Sequence, residues 1–336
     1  MPELADITSR TPGQFRFHEV LPTVAGGDTL TLGEGATPLI AAPAFGPKIY
    51  IKDEAQNPTG SFKARGMAVA VARNVELGGS EFCLPSNGNA GGAAAAYGAL
   101  HGVDIDIAIP ANSPKALITE SQSLGANVSL VDGTITDAGR LQKEKALANG
   151  WFSLATLHEP YRIEGKKMMG YELFWDLGHL PDVIFYPTGG GTGLVGMVKA
   201  FDEMEQLGWI GPERPRMVCV QVEGCAPIVR AFHDGAEAAA AWEDPDETAA
   251  FGLRVPSALG DRLMLKGLRR TEGTAVAVAE DVMLEATERL AVDAGVWGSP
   301  EGGAVVAAYE ELAEKNWITP DETVILFNTG SALKYL

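Results

Sequence analysis

Lys63 stands in the run Asn57-Pro58-Thr59-Gly60-Ser61-Phe62-Lys63-Ala64-Arg65-Gly66, where a turn signal and a hydroxyl residue give way to the apolar stretch Met67-Ala68-Val69-Ala70-Val71-Ala72. Pro58 and Gly60 punctuate a loop and Ser61 reads as an N-cap, so the spacing predicts Lys63 at the start of a helix. An amine fixed there is available for chemistry. The structural alternative is a solvated first-turn lysine, a placement that the positive end of the helix dipole mildly disfavours.

Three further loops carry ligand-binding residue types. Tyr186-Pro187-Thr188-Gly189-Gly190-Gly191-Thr192-Gly193-Leu194 follows a strand-like run and opens a helix. Glycines let successive N–H groups point inward, and the helix start adds partial positive charge, so phosphate is the expected guest. The same loop spells Gly191-x-Gly193-x-x-Gly196, a dinucleotide fingerprint, with Glu223 as its ribose acid. That acid lies beyond the usual spacing of about 20 residues, and a dinucleotide leaves Lys63 unexplained. Pro85-Ser86-Asn87-Gly88-Asn89-Ala90-Gly91-Gly92 crowds amides and small residues at another helix start. Asn89 there suits a ring hydroxyl or a carboxylate, unless Asn87 or Asn89 simply caps the helix. Thr329 offers a hydroxyl after the last apolar run, where turn formation is the plain alternative.

These loops need strands to hold them. Short β-rich runs (Ile49–Ile51, Phe82–Leu84, Ile105–Ile109, Val128–Val131, Trp151–Leu154, Val183–Tyr186, Met217–Val220, Thr274–Val278, Val324–Phe327) alternate with segments of helix length. The pattern predicts an α/β fold of right-handed βαβ crossovers, and nine strands suggest two doubly wound, largely parallel sheets. Ligands of such sheets sit at the carboxyl ends of strands. Residues 232–257, Ala-rich and then acidic, read as a surface excursion.

The chain has 336 residues and a formal charge of −18, which disfavours nucleic acid and anionic membranes and favours small-molecule partners. No stretch reaches the roughly 18 apolar residues that span a bilayer. The N-terminus shows no targeting signal, and Cys83, Cys219 and Cys225 lack CxxC spacing, so buried reduced thiols and a cytoplasmic protein are expected. Five scattered histidines have no metal-ligand spacing, and no metal is expected.

Taken in order, Leu32 to Leu39, Asn57 to Gly66, Ser86 to Asn89, Tyr161 to Lys167, Thr188 to Gly193 and Thr329 to Lys334 resemble the pyridoxal-phosphate enzymes of the tryptophan-synthase-β type (fold type II), and among these the threonine synthases. The resemblance covers nearly the whole chain. It implies two domains with the cofactor in the cleft between them: a larger one of residues 1–52 and 155–336 that binds the cofactor phosphate, and a smaller one of residues 53–154. It further implies Lys63 as the Schiff-base lysine with Phe62 near the cofactor, and Asn89 at the ring hydroxyl. Gly189, Gly190, Gly191, Thr192 and Gly193 would lie at the phosphate and Thr329 at the pyridine nitrogen. Ser86, Asn87, Arg162 and Lys166 would meet the substrate, with Arg162 gripping a substrate phosphate. For Lys167, and for Lys166 as well, the plain alternative is a solvated lysine on a helix face. The implied reaction turns O-phospho-L-homoserine and water into L-threonine and phosphate, in a homodimer. Many family members have Asp where this chain has Ala64, Thr where it has Ala90, and His-Gly where it has Ser331-Ala332. Ala90 and the glycine-rich cradle point to an alternative, β-elimination of ammonia from threonine, serine or hydroxyaspartate.

Overall fold

The structure, a computed structural model, describes residues 4–336. In chain order its elements begin α1 (Leu4–Thr8), β1 (Leu39–Ala41), β2 (Ile49–Asp53), α2 (Lys63–Glu76), β3 (Glu81–Pro85), α3 (Asn89–His101), β4 (Asp104–Pro110), α4 (Lys115–Ser123), β5 (Asn127–Val131), α5 (Ile135–Asn149) and β6 (Phe152–Ser153). They continue with α6 (Tyr161–Leu177), β7 (Val183–Pro187), α7 (Thr192–Gln206), β8 (Arg216–Val222), α8 (Pro227–His233), α9 (Asp261–Arg270), β9 (Thr274–Val278), α10 (Glu280–Ala294), α11 (Pro300–Glu314) and β10 (Val324–Asn328). None of the described helices is long and apolar enough to cross a membrane.

Two compact units are present. One comprises residues up to 36, 57–168 and 333–336. Its four strands run β5-β4-β3-β6, all parallel. Helices α2 and α3 bury small residues, Ala64, Ala68, Ala70 and Ala72 on one and Ala93, Ala94 and Ala95 on the other. Short side chains of this kind let helix and sheet approach closely with few voids.

The other unit, residues 37–56 and 169–332, holds a six-stranded sheet ordered β1-β2-β10-β7-β8-β9. All its pairings are parallel except β1 with β2, where Leu39 faces Lys52. Strands β7 and β10 are buried along their whole length, which is why they read as continuous apolar runs. The sequence reading missed β1. It is three residues long, partly exposed and close to Pro38, the features of an edge strand with little periodicity to detect.

Two expectations change. Residues 4–36 belong with the unit that carries Lys63, because Glu34 accepts from Tyr97 (2.5 Å) and Gln14 (3.4 Å), and the Gly35 N–H donates to Asn57 Oδ1 (3.0 Å). That unit also runs to residue 168, past the expected boundary at 154. The segment 232–257 is not wholly superficial, since Ala250 and Leu253 are buried in the core of the six-stranded unit.

Candidate active site

Lys63 is the first residue of α2, as the spacing predicts, but Ser61 does not cap the helix. Phe62 occupies the cap position, the Ser61 carbonyl accepts from Ala64 N–H at 3.2 Å, and Ser61 Oγ is buried without a partner. The loop ahead of it is conformationally constrained: Thr59 and Gly60 have φ of 59° and 62°. Helix α2 crosses the start of α6 at glycines. A β-carbon on Gly165 would stand 2.0 Å from Arg65 O, and one on Gly66 would stand 2.8 Å from Arg162 O. Only backbone without side chains fits such a crossing.

This crossing gathers three basic side chains. Lys63 Nζ lies 4.0 Å from the centre of the Phe62 ring and Lys166 Nζ lies 5.1 Å from the same centre. Lys166 and Lys167 are both buried, so the solvated-lysine reading fails for each: Lys167 pairs with Glu164 at 2.6 Å, while Lys166 turns inward. Burial, and then the charges of Arg162 and Lys63, hold Lys166 well below the ordinary lysine range. Arg162 is likewise buried and donates to Leu154 O at 2.7 Å, with its Nε unpartnered. Burial lowers Arg162 to about 10, so the guanidinium keeps its charge at neutral pH. Glu159 accepts from the Tyr161 and Arg162 amides, and burial raises its carboxyl despite the attraction of Arg162.

In the loop between β3 and α3, Ser86 and not an asparagine does the capping. Ser86 Oγ accepts from the Gly88 and Gly91 amides, both at 2.9 Å, which leaves its O–H as a donor. Asn89 is the first residue of α3; its Nδ2 donates to Tyr335 Oη at 3.3 Å and its Oδ1 is buried without a partner. Asn87 is half-buried in the same loop.

The six-stranded unit supplies the glycine cradle. Gly189, Gly191, Thr192 and Gly193 are buried between β7 and α7, with Gly190 half-buried among them. The first amides of α7 lack intrahelical acceptors and make an anion site. Three of these glycines are crowded: a β-carbon at Gly189 would meet Gly252 O at 2.1 Å, at Gly191 the Met264 sulfur at 2.0 Å, and at Gly193 the Tyr186 hydroxyl at 2.0 Å. Gly191 also has φ of 73°. The segment expected to be a surface excursion thus backs the cradle, and the Gly252 N–H is itself held by Glu301 Oε1 at 2.8 Å. Thr329 follows β10 and is buried, with Gly330 O accepting from Ser299 N–H at 2.9 Å. Among the described residues no cluster of His, Cys, Asp or Glu is arranged to hold a metal, and Cys83, Cys219 and Cys225 are buried free thiols.

The sequence pattern that defines the pyridoxal-phosphate dependent enzymes is matched over residues 30–330. This chain belongs to that family. As a family member it takes pyridoxal phosphate as its cofactor. It is 34% identical to the threonine synthase of Methanosarcina acetivorans across 99% of this chain and 82% of the relative. With the threonine synthase of Halalkalibacterium halodurans it shares 32% identity, covering 95% of this chain and 88% of the relative. In fold it is similar to a T.th. threonine deaminase (TM-score 0.74, 22% identity, 98% of each chain) and to an L-serine ammonia-lyase from Rhizomucor miehei (TM-score 0.77, 20% identity, 88% and 93% of the chains). The sequence reading of this family member missed Glu34, Tyr97, Glu301, Lys334 and Tyr335 as supporting side chains. Glu34 and Tyr97 pair with each other across 63 residues of chain, and the partners of the other three are 49 to 275 residues distant. Separations of that size leave no local signal, although Glu34 and Lys334 fall within the recognised motifs.

Proposed function

We propose that this pyridoxal-phosphate-dependent lyase is a threonine synthase, converting O-phospho-L-homoserine and water to L-threonine and phosphate. The observation that carries this reading is the buried Arg162, with an unpartnered Nε, one helical turn from buried Lys166. A buried guanidinium with a buried amine one turn away, opposed by the Glu159 carboxyl, favours an anionic guest, and a guanidinium binds phosphate through paired hydrogen bonds. The identity to threonine synthases over nearly the full chain supports the same substrate.

The residues fit the cofactor. The crowding at Gly189, Gly191 and Gly193 keeps the start of α7 bare for its phosphate, and the orphaned amide oxygen of Asn89 marks a polar position awaiting a ligand. Lys63 would hold its carbonyl carbon, Phe62 would lie beside it, Asn89 would meet the ring hydroxyl, and Thr329 the pyridine nitrogen. Bound there, pyridoxal phosphate supplies an electron sink for charge at the carbon bearing the amino group.

The chain's own groups do the rest. Lys63 Nζ takes the proton from Cα and carries protons on to later positions. Arg162 and Lys166 grip the substrate phosphate until it leaves from Cγ, and the Ser86 O–H and Asn87 amide orient the carboxylate while water adds at Cβ. The Phe62 ring lies beside both amines. The buried reduced thiols support a cytoplasmic protein, and the homodimer would scatter light as twice 35.4 kDa.

The test is an assay of purified holoprotein. Phosphate release from O-phosphohomoserine matched by threonine formation is expected, along with a visible Schiff-base band absent in Lys63→Ala. No threonine above the enzyme-free blank refutes the assignment, and a 2-oxo acid with ammonia from threonine or serine would replace it with β-elimination.

A further inference from the structure

Residues 333–336 return to the unit that carries Lys63 and touch both of its loops. Lys334 is buried; its Nζ donates to Thr59 O at 2.5 Å and to both oxygens of Glu120 at 2.8 and 2.6 Å. The Thr59 carbonyl belongs to the left-handed turn four residues before Lys63. The next residue, Tyr335, presents its hydroxyl to Asn89 Nδ2.

We propose that Lys334 and Tyr335 are positioning residues: Lys334 fixes the turn that delivers Lys63, and Tyr335 fixes the plane of the Asn89 amide. An amide nitrogen has two hydrogens. With one directed at Tyr335 Oη, rotation about the amide axis is restricted, and the second N–H and the unpartnered Oδ1 point to fixed positions. A non-glycine residue at φ of 59° is strained and persists only where its surroundings hold it. A buried ammonium shared between the turn carbonyl and a carboxylate is such a hold, because charge-assisted hydrogen bonds are about twice as strong as neutral ones. Burial lowers Lys334, and the attraction of Glu120 opposes that shift.

The Tyr335 part rests on the reading that Asn89 meets the cofactor, and the experiment separates the two. Pyridoxal phosphate affinity is measured by titrating the apo protein for wild type, Asn89→Ala, Tyr335→Phe and the double variant, with the denaturation midpoint recorded for each. Tyr335→Phe keeps the ring and loses only the hydroxyl; affinity should fall about tenfold with an unchanged midpoint, and should not fall further when Asn89 is already Ala. If Asn89→Ala leaves affinity unchanged, the cofactor reading of Asn89 fails. If Asn89→Ala weakens binding but Tyr335→Phe does not, or if the two effects multiply, the positioning role of Tyr335 is overturned.

For Lys334 the readout is hydrogen exchange of the Gly60 and Ala64 amides in the apo protein, both of which are hydrogen-bonded within the turn. Lys334→Met should speed their exchange at least tenfold, while Lys334→Arg, which keeps charged donors, should restore most of the protection. Equal exchange in Lys334→Met and wild type overturns this half, as does an Arg variant that exchanges as fast as the Met variant.

Discussion

Replacing Gly165 with Ala tests the helix crossing on which the cationic cluster depends. The added carbon would lie 2.0 Å from Arg65 O, 2.7 Å from Arg65 C and 2.9 Å from Gly66 Cα, whereas ordinary contact begins at 3.4 Å. All three obstacles are backbone, so no rotamer change relieves them, and α2 and α6 must part by more than an ångström. Overpacking of this kind costs about 1–3 kcal/mol, and here it sits at the upper end. Alanine in a helix interior returns about 1 kcal/mol. The expected net loss is therefore about 2 kcal/mol, read as a lower midpoint in urea denaturation. Gly139 in α5 is the matched control: a β-carbon there has its nearest neighbour, Pro85 Cγ, at 3.9 Å, so Gly139→Ala should stabilise by up to about 1 kcal/mol. Separation of α2 from α6 also moves Lys63 relative to Lys166, so Gly165→Ala should weaken pyridoxal phosphate binding while Gly139→Ala leaves it unchanged. Equal stability gains in the two variants would refute the close crossing.

Lys63→Ala should lose the visible band and cut turnover at least a thousandfold, as measured with O-phosphohomoserine; a residual rate near wild type would remove Lys63 from the chemistry. Arg162→Leu should lower kcat/KM for the phosphorylated substrate by roughly 30- to 150-fold, the equivalent of about 2–3 kcal/mol for a charge-assisted contact. Most of that change should fall on KM. Gly191→Ala forces an alanine to φ of 73° and against Met264, so the cofactor dissociation constant should rise at least tenfold in fluorescence titration. Lys166→Met should stabilise the apo protein, with a definite pH signature. The folded pKa of Lys166 lies below its unfolded value, so between the two the unfolded chain binds more protons and wild-type stability rises with pH. The penalty is complete below the folded pKa and gone above the ordinary lysine value of about 10.4. The gain in Lys166→Met, followed by urea denaturation, should hence be largest at low pH and vanish toward about pH 10.

Lys166 also shows what the sequence makes legible and what it does not. Strands such as β7 and β10 and the glycine cradle are readable because alternation, apolar runs and glycine clusters are local signals with local causes. The burial of Lys166 has no local cause. On its own helix it is one lysine in the run Gly165-Lys166-Lys167-Met168, and a lysine pair at a helix start is ordinarily solvated. What buries it is Gly66, on the much earlier helix α2, whose missing side chain leaves room for the Lys166 stem; a β-carbon there would stand 3.0 Å from Lys166 Cε. The same holds for Ser61, read as a cap because of its type, yet left with a buried hydroxyl because Phe62 takes the cap position instead. Gly66 therefore controls the site at a distance. Gly66→Ala should push Lys166 away from the Phe62 ring and weaken phosphate binding at Arg162, even though residue 66 carries no group that a ligand would touch.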